Sequence, residues 1–321
     1  MGRSRSLWLA LTAWLALGCN AWAQDAAPYP NHLVRIVVPF SAGSVTDILA
    51  RVLAEKLAGT WHQDVIVDNR PGIAGTASAA KMAPDGYTLM LTSNGHTILG
   101  VLNKDLPFDP VKDFVGVTQV ASIPVVLVTP PTLSAKTVKE FIALAKEKPG
   151  MLNFASAGLA STAYIAAELF KQTAKIDIVH IPYKGAPDAM TSVIRGDSHL
   201  YFLAVNLAAQ LMQAGQVRGI AVATPTRNPQ LPDTPTVIEA GLDYSYDAWF
   251  GMMAPAGTPA PILAKVSRDI AEALHAPEVR DRLAKQGVEV VTNTPDEFDA
   301  IIKRDTVRYG HLMKDAGIGA N

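Results

Sequence analysis

Short apolar runs alternate with helical patterns along most of this chain. Val34-Arg35-Ile36-Val37-Val38-Pro39 has the length and β-branched content of a buried strand. Residues 47–57 then place apolar side chains at 48, 49, 52, 53 and 57, one face of an amphipathic helix. Residues 65–67 read as the next strand, Gly72 and Gly75 open a small-residue helix to Met82, and 88–92 read as the third strand. The rhythm restarts with a strand over 125–128, a helix over 137–147 opened by Ser134 or Thr137, and a strand over 153–155. A helix over 161–172, a strand over 176–180, a helix from Pro187 to Arg195 and a strand over 199–202 follow. Strands separated by helix-length segments predict right-handed crossovers and a largely parallel α/β sheet.

Two stretches read as crossings between lobes. Ser122-Ile123-Pro124 leads into the second strand set, and Tyr246-Asp247-Ala248-Trp249-Phe250-Gly251 leads back out. Beyond them come helices near 260–275 and 277–286, with no new parallel unit. A tail that packs on the first lobe predicts a discontinuous domain of residues 24–123 with 249–321, and a second domain of 124–248. Two crossing strands form a hinge suited to closure around a ligand.

Composition narrows the function. The chain has 321 residues, is 49 % apolar and carries 28 basic against 29 acidic side chains, which excludes a disordered chain. It also lacks the basic field that would recruit nucleic acid. Residues 1–23 differ from the rest: Arg3 and Arg5, an apolar run over 7–17, then Ala21-Trp22-Ala23, the three parts of a cleavable signal peptide. That apolar run is too short to span a bilayer. Cleavage after Ala23 would remove the only cysteine, Cys19, whose acylation as a lipoprotein anchor is the rival reading. The mature chain would keep 26 basic against 29 acidic side chains.

Ligands of open α/β sheets bind where strand ends meet helix starts. Two such junctions are rich in small and hydroxyl residues: 39–47, with Phe40, Ser41, Gly43, Ser44, Thr46 and Asp47, and 156–162, with Ser156, Gly158, Ser161 and Thr162. Helix starts offer amide donors and a partial positive charge, and a facing pair would trap an anion without a basic side chain. Thr46, Asp47, Ser161 or Thr162 read equally well as helix caps. Ser93 and Asn94, in a loop that also holds His96, form a third candidate. No nucleophile elbow, metalloprotease or phosphate-loop motif occurs, and the seven histidines show no metal-ligand spacing, so no catalytic residue, metal or cofactor is expected.

Taken in order, several short motifs resemble the Bug family, the periplasmic solute receptors of tripartite tricarboxylate transporters. In the first half they are the strand and loop from Val34 to Phe40, Thr46-Asp47-Ile48-Leu49-Ala50-Arg51, Asp68-Asn69-Arg70-Pro71-Gly72 and Ala83-Pro84-Asp85-Gly86-Tyr87-Thr88. Later come Asn153-Phe154-Ala155-Ser156-Ala157-Gly158, Glu168-Leu169-Phe170, Pro182-Tyr183-Lys184-Gly185, Trp249-Phe250-Gly251 and Ala254-Pro255-Ala256-Gly257-Thr258-Pro259.

The resemblance implies an α/β, two-lobed periplasmic binding protein (type II) with a hinged cleft between two mixed, mainly parallel sheets. It implies a monomer that captures a small organic acid and delivers it to membrane transporter subunits. One ligand carboxylate would be held by the two helix-start loops, with Tyr164 and Leu203 lining the rest of the pocket. The sequence departs from the family pattern at Ala42-Gly43-Ser44, at Leu159-Ala160, at Tyr164, where a histidine is common, and at Leu203, where many members carry an acid. Those departures predict a carboxylate ligand without a positively charged amine. A sensor presenting its closed form to a partner, or a serine hydrolase acting on a small ester, are the alternatives.

Overall fold

In the computed structural model, which describes residues 29–158, 161–246, 248–315 and 317, the first apolar run is strand β1 (Val34–Val38). The leader with Cys19, the Leu159-Ala160 pair and Asp247 lie outside the described residues. Residues His32–Asn321 form one compact unit, and every helix and strand among the described residues lies within it. From β1 the chain passes through helix α1 (Val45–Trp61), β2 (Val65–Asn69), α2 (Ile73–Ala80) and β3 (Thr88–Ser93). β1 pairs in parallel with both β2 and β3. α1 starts two residues before the expected point because Ser44 caps it, its hydroxyl accepting from the Asp47 amide at 3.2 Å.

After a 3-10 helix (Asn94–Ile98) and the one-turn α3 (Leu99–Leu102) the simple alternation ends. β4 (Phe114–Ser122), a nine-residue strand, runs through Ile123 and Pro124 straight into β5 (Val125–Thr129). The second lobe follows as α4 (Val138–Glu147), β6 (Asn153–Ser156), α5 (Thr162–Ala174), β7 (Val179–Pro182), α6 (Ala186–Arg195), β8 (Tyr201–Ala204), α7 (Val205–Gln213) and β9 (Arg218–Val222). β10 (Trp249–Pro255) returns to the first lobe, followed by α8 (Ala260–His275), α9 (Pro277–Ala284), β11 (Glu289–Val290) and α10 (Pro295–Asp315).

The first sheet has the order β11-β4-β10-β3-β1-β2. In the second lobe β5 lies between β8 and β9, and the β6–β7 pair joins β8 through a bridge from Phe154 to Leu200. Both sheets are mixed, but the expected predominance of parallel pairing does not hold: three registered strand pairs are parallel and five antiparallel. The crossings are the cause. β4 leaves the first sheet and β10 re-enters it, so they are antiparallel neighbours, and β10 is antiparallel to β3 on its other side. Strands buried on both faces are apolar throughout whichever direction they run, so the sequence pattern does not report orientation.

The tail is more tightly built in than expected. α8 docks on α1 through a buried bond from Trp61 Nε1 to Asp269, 2.6 Å. α10 opens with a capping box, Thr294 and Glu297 each bonding the other's backbone amide, and then lies on β4 and β10. Gly116 and Gly251 permit that approach: a Cβ on Gly251 would sit 2.0 Å from the Phe298 ring. The far end of α10 reaches the second lobe, where the Leu312 carbonyl accepts from Gln172 Nε2 at 2.7 Å and Met313 joins that lobe's core. The tail therefore ties the lobes together rather than packing on the first alone.

Candidate functional site

The loop after β1 is organised by one carboxylate. Gly43 adopts φ +82°, a conformation suited to glycine, which turns its N–H onto Asp47 Oδ2 at 2.8 Å. The same oxygen accepts from Arg51 Nε at 3.0 Å, and Oδ1 accepts from Asn69 Nδ2 at 3.0 Å. Burial pushes the Asp47 carboxyl up, but the bonds from Arg51, Gly43 and Asn69 outweigh it and hold it below the usual range. Asp47 thus shapes the loop from inside. Ser41 and Gly43 are exposed, Phe40 and Ser44 half-buried, and Thr46 buried. With Ser44 as cap, the first two helical amides, Val45 and Thr46, have no intrahelical acceptor.

The loop after β6 repeats this device with hydroxyls. Ser161 caps α5, accepting from the Tyr164 amide at 3.3 Å while its hydroxyl donates to the Gly158 carbonyl at 2.7 Å. Gly158, at φ +106°, donates its amide to Ser156 Oγ at 3.0 Å. The amides of Thr162 and Ala163 are left, like those at α1, without an intrahelical acceptor. Each lobe therefore presents a capped helix start whose first two N–H groups have no intrahelical acceptor.

Three other expected residues stand differently. Tyr164 is turned into the core, 1 % exposed, with its ring 4.6 Å from that of His180 and 6.1 Å from that of Phe154, and burial raises its hydroxyl pKa. It sits on the α5 face that packs on β6 and β8. Leu203 is likewise a core residue, 5 % exposed and in register with Val126 of β5. The argument against a ligand amine loses that support. Asn94 is committed to the Tyr246 hydroxyl at 2.6 Å, a bond between the first lobe and the segment that leaves the second, while Ser93 ends β3 opposite Phe250.

Sequence reasoning did not single out His180. Its Nε2 lies 2.6 Å from Ser156 Oγ, and the parallel register of β6 and β7 sets Phe154 opposite His180. No local spacing could reveal this pair, because it depends on strand register. Ser156 is fully buried and its oxygen already accepts the Gly158 amide, the position of a loop support rather than of an exposed nucleophile. Among the described residues no group of three acidic, histidine or cysteine side chains could hold a metal, and no helix is long and apolar enough to cross a membrane.

No hydrogen bond among the described residues joins the loop of residues 39–47 to that of 156–162. Cavities of about 550 and 620 Å³ lie elsewhere. One is behind the crossing strands, beside Pro124, Asn228 and Glu289, and the other is beside Thr97, Phe108 and Thr306.

The model of the tripartite tricarboxylate transporter family receptor matches residues 49–318. The chain belongs to this family. The receptor is 34 % identical over 299 residues to protein BugT of Bordetella pertussis, covering 91 % of this chain and 92 % of BugT. It is 31 % identical, with a TM-score of 0.74, to R. palustris Rpa4515, solved with adipate, over 91 % of this chain and 99 % of that one. MatC from Rhodopseudomonas palustris, solved with bound malate, is 30 % identical with a TM-score of 0.72, over 88 % of this chain and 99 % of MatC.

Proposed function

We propose that this receptor binds a small organic carboxylate between its lobes and delivers it, chemically unchanged, to the membrane subunits of a tripartite transporter. The observation that carries the reading is the pair of capped helix starts, each with two amides lacking an intrahelical acceptor. Ligand-bound Rpa4515 and MatC, holding adipate and malate, support the same ligand class. In this reading the carboxylate is held by the turn of Ser41, Gly43, Ser44 and Thr46 from one lobe and by Gly158, Ser161 and Thr162 from the other. Helix-dipole charge supplies the attraction that a near-neutral chain lacks. The lobes are residues 24–123 with 249–321 and residues 124–248, and closure is a motion about the crossing strands. The protein acts as a periplasmic monomer after removal of residues 1–23.

Thermal unfolding of the mature protein with adipate, malate and neutral solutes of matching size tests the reading. A ligand present at about 100 times its dissociation constant adds roughly 2.7 kcal/mol of stability. Stabilisation by neutral solutes and by no acid would refute the proposal. Recovery of a chemically altered acid would refute binding without turnover.

A further inference from the structure

The hydroxyls of the second helix-start loop form a directional chain that ends on an imidazole. An amide can only donate, so the Gly158 N–H fixes Ser156 Oγ as its acceptor at 3.0 Å. Ser156 has one hydrogen and two acceptors in reach, His180 Nε2 at 2.6 Å and the Gly158 carbonyl at 3.3 Å. With Nε2 unprotonated the shorter bond takes the hydrogen, and the Gly158 carbonyl is served by Ser161 Oγ at 2.7 Å. The Ser161 hydroxyl hydrogen then points into the loop, away from any ligand.

A proton on Nε2 reverses the order. The imidazolium donates to Ser156 Oγ, whose own hydrogen turns to the Gly158 carbonyl. That carbonyl accepts the Ser161 backbone amide at 3.1 Å in both states, and Ser156 now fills its other lone pair, so the Ser161 hydroxyl is displaced and becomes free to meet a carboxylate.

We infer that His180 is a positioning residue of the carboxylate site: through Ser156 it sets whether the Ser161 hydroxyl hydrogen is held by Gly158 or offered to the ligand. The ligand half of this inference rests on the carboxylate reading above. The surroundings of His180 suit a switch that is off until a ligand arrives. Its ring stacks on Phe154 of β6 at 4.9 Å, and α5 presents Tyr164 and the Lys171 ammonium to it. Burial first, and the Lys171 charge second, disfavour the imidazolium. Glu168, the acid of α5, lies 3.9 Å from Lys171 and is itself held toward its neutral form by burial. A bound carboxylate that recruits Ser161 favours the protonated imidazole, so ligand and proton bind cooperatively.

Nitrogen-15 NMR of the ligand-free mature protein tests the chain without any ligand. The expected spectrum shows neutral His180 as the Nδ1–H tautomer, and the Gly158 and Ser161 amides titrate with its midpoint; His180→Gln abolishes that movement. A neutral Nε2–H tautomer, or amides indifferent to the titration, overturns the inference. In calorimetry with adipate, the affinity of wild type relative to His180→Gln rises about tenfold as pH falls through the His180 midpoint read by NMR, the worth of one charge-assisted hydrogen bond. The ratio cancels titration of the acid itself, and a flat ratio overturns the ligand half. If adipate binds neither protein at any pH, the carboxylate reading fails for that acid while the NMR result still decides the role of His180.

Discussion

Asp47→Asn isolates the carboxylate that holds the first helix-start loop. Each Asp47 oxygen serves two donors: Oδ2 takes Gly43 N and Arg51 Nε at 2.8 and 3.0 Å, and Oδ1 takes Asn69 Nδ2 and the second Arg51 nitrogen, both at 3.0 Å. An asparagine amide accepts at one end only, so in either orientation two donors meet an NH2 group. Losing a charge-assisted bond from Gly43 or Asn69 costs about 1.5–3 kcal/mol. The Arg51 side chain is 55 % exposed, which limits its share to under about 1 kcal/mol. The expected destabilisation is therefore roughly 2–3 kcal/mol, a large fraction of the about 5–15 kcal/mol available to a folded protein. Urea unfolding near neutral pH measures it, with Arg51→Gln as the control that should cost under about 1 kcal/mol. Because the folded state depresses the Asp47 pKa, its contribution is complete above the ordinary carboxylate pKa and disappears as pH falls through the folded value. The penalty of Asp47→Asn should shrink accordingly toward acid. A penalty below about 0.5 kcal/mol, or one unchanged from neutral to acid pH, would refute the account of this loop.

Three further outcomes follow from buried groups and close contacts. His96 is fully enclosed, with Nε2 2.8 Å from the Pro110 carbonyl and Nδ1 without a partner, and burial lowers its pKa to about 4. The unfolded chain takes up that proton first, so stability should fall by roughly 3 kcal/mol between the ordinary histidine pKa and about 4; His96→Phe should flatten that part of the profile in denaturant titrations. Burial raises the pKa of Glu168, so its contribution is fullest below the ordinary carboxylate pKa and is lost as pH rises through the folded value. Glu168→Gln should therefore gain melting temperature relative to wild type in mild alkali and not in acid; an equal shift at both would count against an ionised, poorly paired Glu168. Gly251→Ala forces a Cβ into the Phe298 ring and should cost about 1–3 kcal/mol, with Phe298→Leu in the same chain recovering part of it.

Much of the site was legible because it is local. A strand end, small residues and a hydroxyl before a helix pattern place a cap within a few residues: Ser161 performs that role as expected, whereas at α1 the cap is Ser44 and the expected Thr46 and Asp47 lie inside the first turn. The 294–315 segment carried an equally local signal, a Thr294-to-Glu297 capping box ahead of buried Phe298, Ile302 and Tyr309, yet it was not read as a helix. Tyr164 was expected beside the ligand on the family resemblance, whereas the helix face, set by what α5 covers, sends it into the core.

Periodicity along the chain determines which residues pair with their neighbours in sequence and which face of each element is apolar. That suffices for most helices, most strands and the two helix-start loops. It cannot determine partners across a sheet, because hydrogen-bond register and strand direction arise only when distant segments pack. The insertion of β10 between β3 and β4, the landing of α10 on Gly116 and Gly251, and the meeting of Ser156 with His180 across 24 residues were decided there. The two helix-start loops were written locally, and the meeting of Ser156 with His180 beneath the second was supplied by the tertiary fold.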